Sequence, residues 1–228
     1  AMDPQQRIVL ELGWQALESA GIDPDLLAGS RTGVFIGALT NDYELLQIKS
    51  AAQQAISPYF GSGTSVSMLA GRLAYRLGLR GPALVVNTAC SSSLVALHLA
   101  CQSLRSGESD LALVGGVNLI LSPELGESFQ AANMLAPDGR CKSFDASANG
   151  YVRSEGAAML MLQRHSVALR EGRPVLALVR GSAVNQDGAS NGLTAPSQAA
   201  QAEVIRAALA AAAVAPAQIT YLEAHGTG

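Results

Sequence analysis

The apolar run Ala83-Leu84-Val85-Val86 passes into a helical pattern through a few small residues, and that junction constrains the fold more than any other feature of the chain. The run reads as a strand. Beyond Thr88-Ala89-Cys90-Ser91-Ser92-Ser93, the residues Leu94, Leu97, Leu99, Cys101 and Leu104 recur at roughly turn spacing. A strand that hands over directly to a helix is a building unit of α/β folds. It sets Cys90 at a helix N-terminus, where unpaired N–H groups and the macrodipole favour a thiolate. The small neighbours leave room for a substrate carbonyl. A buried, inert cysteine is the competing reading of the same pattern.

The rest of the chain repeats the alternation. Asp3-Pro4 reads as a cap and first-turn proline for a helix over residues 4–20, with Ile8, Leu10, Leu12, Trp14 and Leu17 as its apolar surface. Strands are expected at Thr32–Gly37, 83–87, Asp110–Ile120, Ala157–Leu162, Pro174–Val184 and Ile219–Leu222. Helices are expected at 65–78, after Cys90, near 123–132, at 164–171 and at 197–213, with an ordered loop over 135–156. Gly71 inside a helix predicts a close packing contact, and Gly115-Gly116 inside a strand predicts close backbone approach. Gly61-Ser62-Gly63 lacks the Lys-Ser/Thr of a phosphate loop and reads as a turn. The sum is an α/β fold with helices on both faces of its sheets.

Composition excludes several function classes. Of the 228 residues, 49% are hydrophobic and 14% charged, which argues against disorder. The net charge of −3 comes without a basic block, so nothing favours nucleic acid or an anionic membrane surface. The longest apolar stretch, Ala207–Ala215, falls short of the ~20 residues of a membrane span. Three cysteines match neither a disulfide framework nor a zinc site, and Asp138, Asp145 and Glu155 have no metal-type spacing with a histidine. No metal is expected, and a reducing, cytoplasmic setting fits best. No secretory signal is read, and both ends look cut, as in an internal piece of a larger protein.

Cysteine-based acyl transfer needs a base or electrophilic partner. His98 lies eight residues past Cys90 on the same helix, about 12 Å along its axis, and reads as structural. His165 opens an ordinary helix. His225 follows the expected strand Tyr221-Leu222-Glu223 and is flanked by Ala224 and Gly226, which leave its ring open to a ligand. Strand ends are where open α/β folds place ligand sites, so His225 is the candidate partner of Cys90.

Asn87-Thr88-Ala89-Cys90-Ser91-Ser92-Ser93-Leu94 resembles the active-site signature of β-ketoacyl synthases, and Glu223-Ala224-His225-Gly226-Thr227-Gly228 resembles the first catalytic-histidine motif of the same enzymes. Asp3-Pro4-Gln5-Gln6-Arg7, Val184-Asn185-Gln186-Asp187-Gly188 and Asn191-Gly192-Leu193-Thr194-Ala195-Pro196 are similar to segments of ketosynthase domains in modular, type I polyketide synthases. The resemblance implies a thiolase-like, layered α/β/α/β/α fold, truncated at both ends. Residues 1–165 would form the N-terminal half without its first strand, and residues 166–228 would begin the C-terminal half.

The resemblance also implies a chemistry. Cys90 would accept an acyl group from an acyl carrier protein, with its own N–H as half of an oxyanion hole. His225 would help drive decarboxylation of a malonyl-type extender, whose carbanion attacks the acyl thioester. Thr227 would hydrogen-bond the pantetheine arm, and Glu155 would support the site. The domain would bind no cofactor of its own, because substrates arrive on the carrier protein's phosphopantetheine. A homodimer with neighbouring synthase domains is expected. Asn87 departs from the aspartate common in modular synthases. A second histidine, a lysine and the second oxyanion donor would lie beyond Gly228, so the isolated chain is expected to be inactive and poorly soluble. A non-elongating acyl-transfer ketosynthase, a cysteine hydrolase and a thiolase are the alternatives; the two signatures fit a synthase better than a thiolase.

Overall fold

A computed structural model of the chain describes residues 2–51 and 57–228. Contacts divide it into two units: residues 1–167 with 225–228, and residues 168–224.

The first unit is built on a four-stranded sheet of β1 (Thr32–Ala38), β2 (Ala83–Val86), β3 (Leu111–Asn118) and β4 (Gly156–Gln163), in the order β2-β1-β3-β4. β1 runs parallel to β2 and β3, whereas β4 is antiparallel to β3. The helices α1 (Pro4–Ser19), α2 (Asp42–Ala51), α3 (Phe60–Thr64), α4 (Met68–Leu77), α5 (Ser92–Ser106), α6 (Glu124–Ala131), α7 (His165–Arg170) and α8 (Gln198–Ala212) complete the order. Helices cover both sheet faces, as expected. Val34, Ile36, Leu113 and Val117 pack with Leu17, Leu69 and Leu73 of α1 and α4. The alternate residues Phe35, Ala112 and Val114 pack with Ala96, Ala100 and Leu104 of α5. That alternation is the period of two along β1 and β3, buried on both faces.

The helix faces differ from the sequence expectation. In α1 the buried stripe is Gln5, Val9, Gly13 and Leu17, with Trp14 44% exposed. Gly13 makes the contact with α4: a Cβ there would lie 2.8 Å from the Leu73 methyls. In α5 the small residues Ala96 and Ala100 face the sheet, and Leu94 and Leu99 are exposed. The cause is the close seat of that helix. A Cβ on Gly37 of β1 would lie 2.4 Å from the Ser93 nitrogen, and one on Gly116 of β3 would lie 2.9 Å from the Ser93 Cβ. Gly115 is tight as well, against the Ala158 carbonyl. Cys101 is buried, and burial pushes its thiol pKa up.

Three further expectations are corrected. Gly71 meets open space, so it marks no packing contact. Gly61-Ser62-Gly63 belongs to the short helix α3, closed by the Gly63 N–H donating to Tyr59 O at 2.8 Å. The expected strands 174–184 and 219–222 form no ladder, because no strand lies beside them among the described residues.

The second unit is held instead by α8. Ser197 caps it through the Ala200 N–H (3.3 Å), and Asp187 in turn accepts from Ser197 N at 3.0 Å. Asn185 donates to Ala200 O at 2.8 Å. Gly181 approaches the backbone of Ala208 and Ala212 so closely that a Cβ would lie 2.5 Å from Ala212 N. The segment 174–184 therefore runs along a helix without pairing. No helix among the described residues is long and apolar enough to cross a membrane.

Candidate active site

The Cys90 turn is a short knot of hydrogen bonds between β2 and α5. Asn87 Oδ1 accepts from Ala89 N (3.1 Å), Ser92 Oγ accepts from Thr88 N (2.9 Å), and Ser92 Oγ donates to Ala89 O (2.6 Å). Ser91 Oγ donates to both Thr88 O and Thr88 Oγ1 at 2.9 Å. The backbone N–H groups of Ser91 and Ser92 reach Thr88 O and Ala89 O. Ala89 sits at φ 54°, a left-handed conformation that costs an L-residue about 1–2 kcal/mol and is sustained here by the bonds around it. Cys90 follows it directly and is exposed, two residues before α5 begins.

Around this turn the first unit gathers several loops. Burial pushes the Tyr151 phenol pKa up, and the charge of a Cys90 thiolate nearby adds to the shift while Arg153 opposes it. Tyr151 is held by backbone bonds to Met134 O (3.0 Å) and from Ala136 N (2.9 Å). Its ring tilts against Phe129 at 6.3 Å, and the Arg153 guanidinium lies over the Phe129 ring, 5.7 Å from its centre. Gly150, at φ 138°, leaves no room for a Cβ against Ala136 N (2.5 Å). Beside Asn87 opens a cavity of about 350 Å3, lined by Leu39, Asn41, Val66, Ser67 and Val85 among others.

His225 is exposed, as is Thr227. Their stretch is tied to the first unit: Ser143 Oγ donates to the Gly226 carbonyl, and a Cβ on Gly228 would lie 3.0 Å from Gly150 O. The structure thus brings the His225 stretch against the segment that carries Tyr151. Among the described residues no hydrogen bond joins the Cys90 thiol to the His225 ring. Glu155 Oε1 accepts from Ile120 N at 2.7 Å, and Asn118 Nδ2 donates to Ser154 O at 2.8 Å, so Glu155 pins the exit of β3. Cys141 is exposed, and its sulfur accepts from Val152 N.

Sequence reasoning read Asp3 as the cap of α1 but passed over what Gln5, Gln6 and Asp42 hold in place. Asp3 caps α1 through Gln5 N (2.8 Å). The buried Gln5 donates to Thr40 O (3.3 Å) past the end of β1 and accepts from Leu119 N (3.2 Å) past the end of β3. Gln6, also buried, donates to Gly63 O (3.2 Å) and accepts from Arg72 Nε (2.9 Å). Asp42 Oδ2 accepts from Leu121 N (3.1 Å) and Ser122 N (3.2 Å). The signal was present: two adjacent glutamines on the buried side of a helix must find partners.

Similarity to known proteins decides the family of the chain. Residues 1–168 match the β-ketoacyl synthase N-terminal domain, and residues 176–228 match the β-ketoacyl synthase C-terminal domain. The chain belongs to the β-ketoacyl synthase family. This ketosynthase chain is 56% identical over all 228 residues to a phenolphthiocerol/phthiocerol polyketide synthase protein of Mycobacterium tuberculosis, of which it spans 15%. It is 57% identical to the polyketide synthase GfsA of Streptomyces halstedii, spanning 3% of that protein. Among solved structures it is similar to the ketosynthase from module 6 of the bacillaene synthase of Bacillus subtilis 168. That likeness has a TM-score of 0.90 and 42% identity, covering 99% of this chain and 38% of the other. An oxazolomycin ketosynthase domain from Streptomyces albus JA3453 matches at TM-score 0.93 and 41% identity, over 100% of this chain and 39% of the other. The thiolase-like fold expected from the sequence is the fold of these ketosynthases.

Proposed function

We propose that this ketosynthase chain belongs to a polyketide synthase and takes part in decarboxylative Claisen condensation, with Cys90 as the acyl-accepting nucleophile. The observation that carries the reading is the nucleophile turn: an exposed thiol following a left-handed Ala89, at the start of a helix, with neighbouring N–H groups already bonded. In this reading the acyl group moves from a carrier-protein phosphopantetheine thioester to Cys90. The thiolate attacks the carbonyl, the pantetheine thiol leaves, and the Cys90 N–H donates to the oxyanion. The cavity beside Asn87 offers room for the acyl chain. His225 polarises the malonyl-type thioester as carbon dioxide leaves, and the resulting carbanion attacks the acyl-Cys90 carbonyl, breaking its C–S bond and expelling the Cys90 thiolate.

Thr227 is read as a contact for the pantetheine arm, and Glu155 as a positioning residue that acts through the Ile120 backbone. Residues 1–165 and 166–228 are read as the N-terminal half and the start of the C-terminal half. Acyl carrier protein domains, neighbouring synthase domains and a second copy of the chain are the proposed partners, in the cytoplasm.

The test separates the two chemical roles within an intact ketosynthase domain containing these residues. Cys90→Ala should abolish acyl loading, read by mass spectrometry of the protein. His225→Ala should still load but condense at least about 10²-fold more slowly, the scale of a lost acid–base or polarising group. Loading of Cys90→Ala, or wild-type condensation by His225→Ala, would overturn the assignment.

A further inference from the structure

We propose that Asn87 is a positioning residue for Cys90: its carboxamide ties the loop leaving β1 to the turn that carries the thiol. The inference rests on the reading of Cys90 as nucleophile. Asn87 uses both ends of one amide. Its Oδ1 accepts from Ala89 N at 3.1 Å, and its Nδ2 donates to Leu39 O at 3.4 Å. The two bonds together fix which way the amide faces, since only nitrogen can serve the carbonyl and only oxygen the N–H. The first bond is an Asx turn, a short-range tie suited to a backbone that enters the left-handed region, as Ala89 does here. The second reaches across to the segment just past the end of β1. Between them they relate the Cys90 backbone to a central strand of the sheet.

An aspartate in this place has the same shape and a different chemistry. It accepts from Ala89 N but donates nothing, so the Leu39 carbonyl would face a carboxylate. The two ties can therefore be separated by two variants.

The experiment follows iodoacetamide alkylation of Cys90, resolved by peptide mass spectrometry, across about pH 6–10, the range in which thiols ordinarily titrate. It uses the intact ketosynthase domain, with thermal melts in parallel to verify folding. Asn87→Asp, which keeps the Ala89 tie and loses the Leu39 one, should lower the high-pH alkylation plateau and the acyl-loading rate about two- to threefold. Asn87→Ala, which loses both ties, should lower them about three- to tenfold. If both folded variants give the wild-type profile and loading rate, Asn87 is a bystander and the inference is wrong, with the role of Cys90 untouched. If Cys90 in the wild type neither alkylates nor loads, the underlying reading falls and this one with it.

Discussion

β3 and the 174–184 segment are both short apolar runs, and their fates are opposite. Leu113 and Val114 in β3 are 0% and 2% exposed, whereas Leu176 and Leu178 are 95% and 50% exposed. Side-chain chemistry does not separate them. β3 has β1 on one side and β4 on the other, while 174–184 lies along α8 with no strand at either edge among the described residues. Apolar residues make a strand possible, and its backbone partners make it real.

The comparison can be broken most decisively at its centre. Leu113→Ala should destabilise the first unit by about 3–4 kcal/mol through lost burial and a cavity, while Leu176→Ala should fall within about 0.5 kcal/mol of wild type. Urea unfolding followed by tryptophan fluorescence reads the first unit through the single Trp14 in α1, and far-UV circular dichroism through the same titration reads α8 of the second unit as well. Equal costs at the two leucines would mean that 174–184 is as well packed as β3. The next largest effect belongs to Gly37→Ala. Its methyl must displace backbone atoms of Ser92 and Ser93 rather than a yielding side chain, so a loss of about 2–3 kcal/mol is expected. Because those atoms begin the helix behind Cys90, thiol alkylation should slow as well, and a stable, normally reactive variant would show that the helix seat is not tight.

The smallest effect sharpens the contrast by pH. Burial raises the Asp3 carboxyl above its ordinary value of 3.8, with the Gln5 N–H bond opposing it. A carboxyl raised in the folded state contributes stability that is full below its unfolded value and lost as pH rises through the folded one. Asp3→Asn keeps a capping side chain and removes this titration. The decline in first-unit stability just above pH 3.8 should flatten by a few tenths of a kcal/mol or more. An unchanged profile would mean that Asp3 is solvated in the folded protein.

Local signals carried much of this molecule. The cap at Asp3, the helix beginning near Ser197 and the junction at Cys90 were readable because each depends on neighbours within a few residues. Faces were harder. Trp14, Leu94 and Leu99 looked like core and are exposed, because Gly13, Gly37 and Gly116 let backbones approach until only small side chains fit between them. α2 went unread because its apolar pattern is weak; it is anchored by Asp42 to a loop some 80 residues away. Cys90 and His225 stood out by motif, whereas the partners of the paired glutamines lie in contacts that one-dimensional spacing cannot express.

The hydrogen bond from Ser143 to the Gly226 carbonyl spans 83 residues of chain. Closing so long a loop is a cost met once, since each doubling of length adds only about 0.6 kcal/mol, but it must be met before the contact returns anything. The β1–β3 pairing at the centre of the sheet, Thr32 beside Leu111, closes a loop of similar length and so meets a similar cost. The difference lies in what each closure returns: a ladder of backbone bonds for the strands, and the Ser143 bond with the Gly228 contact for the histidine stretch.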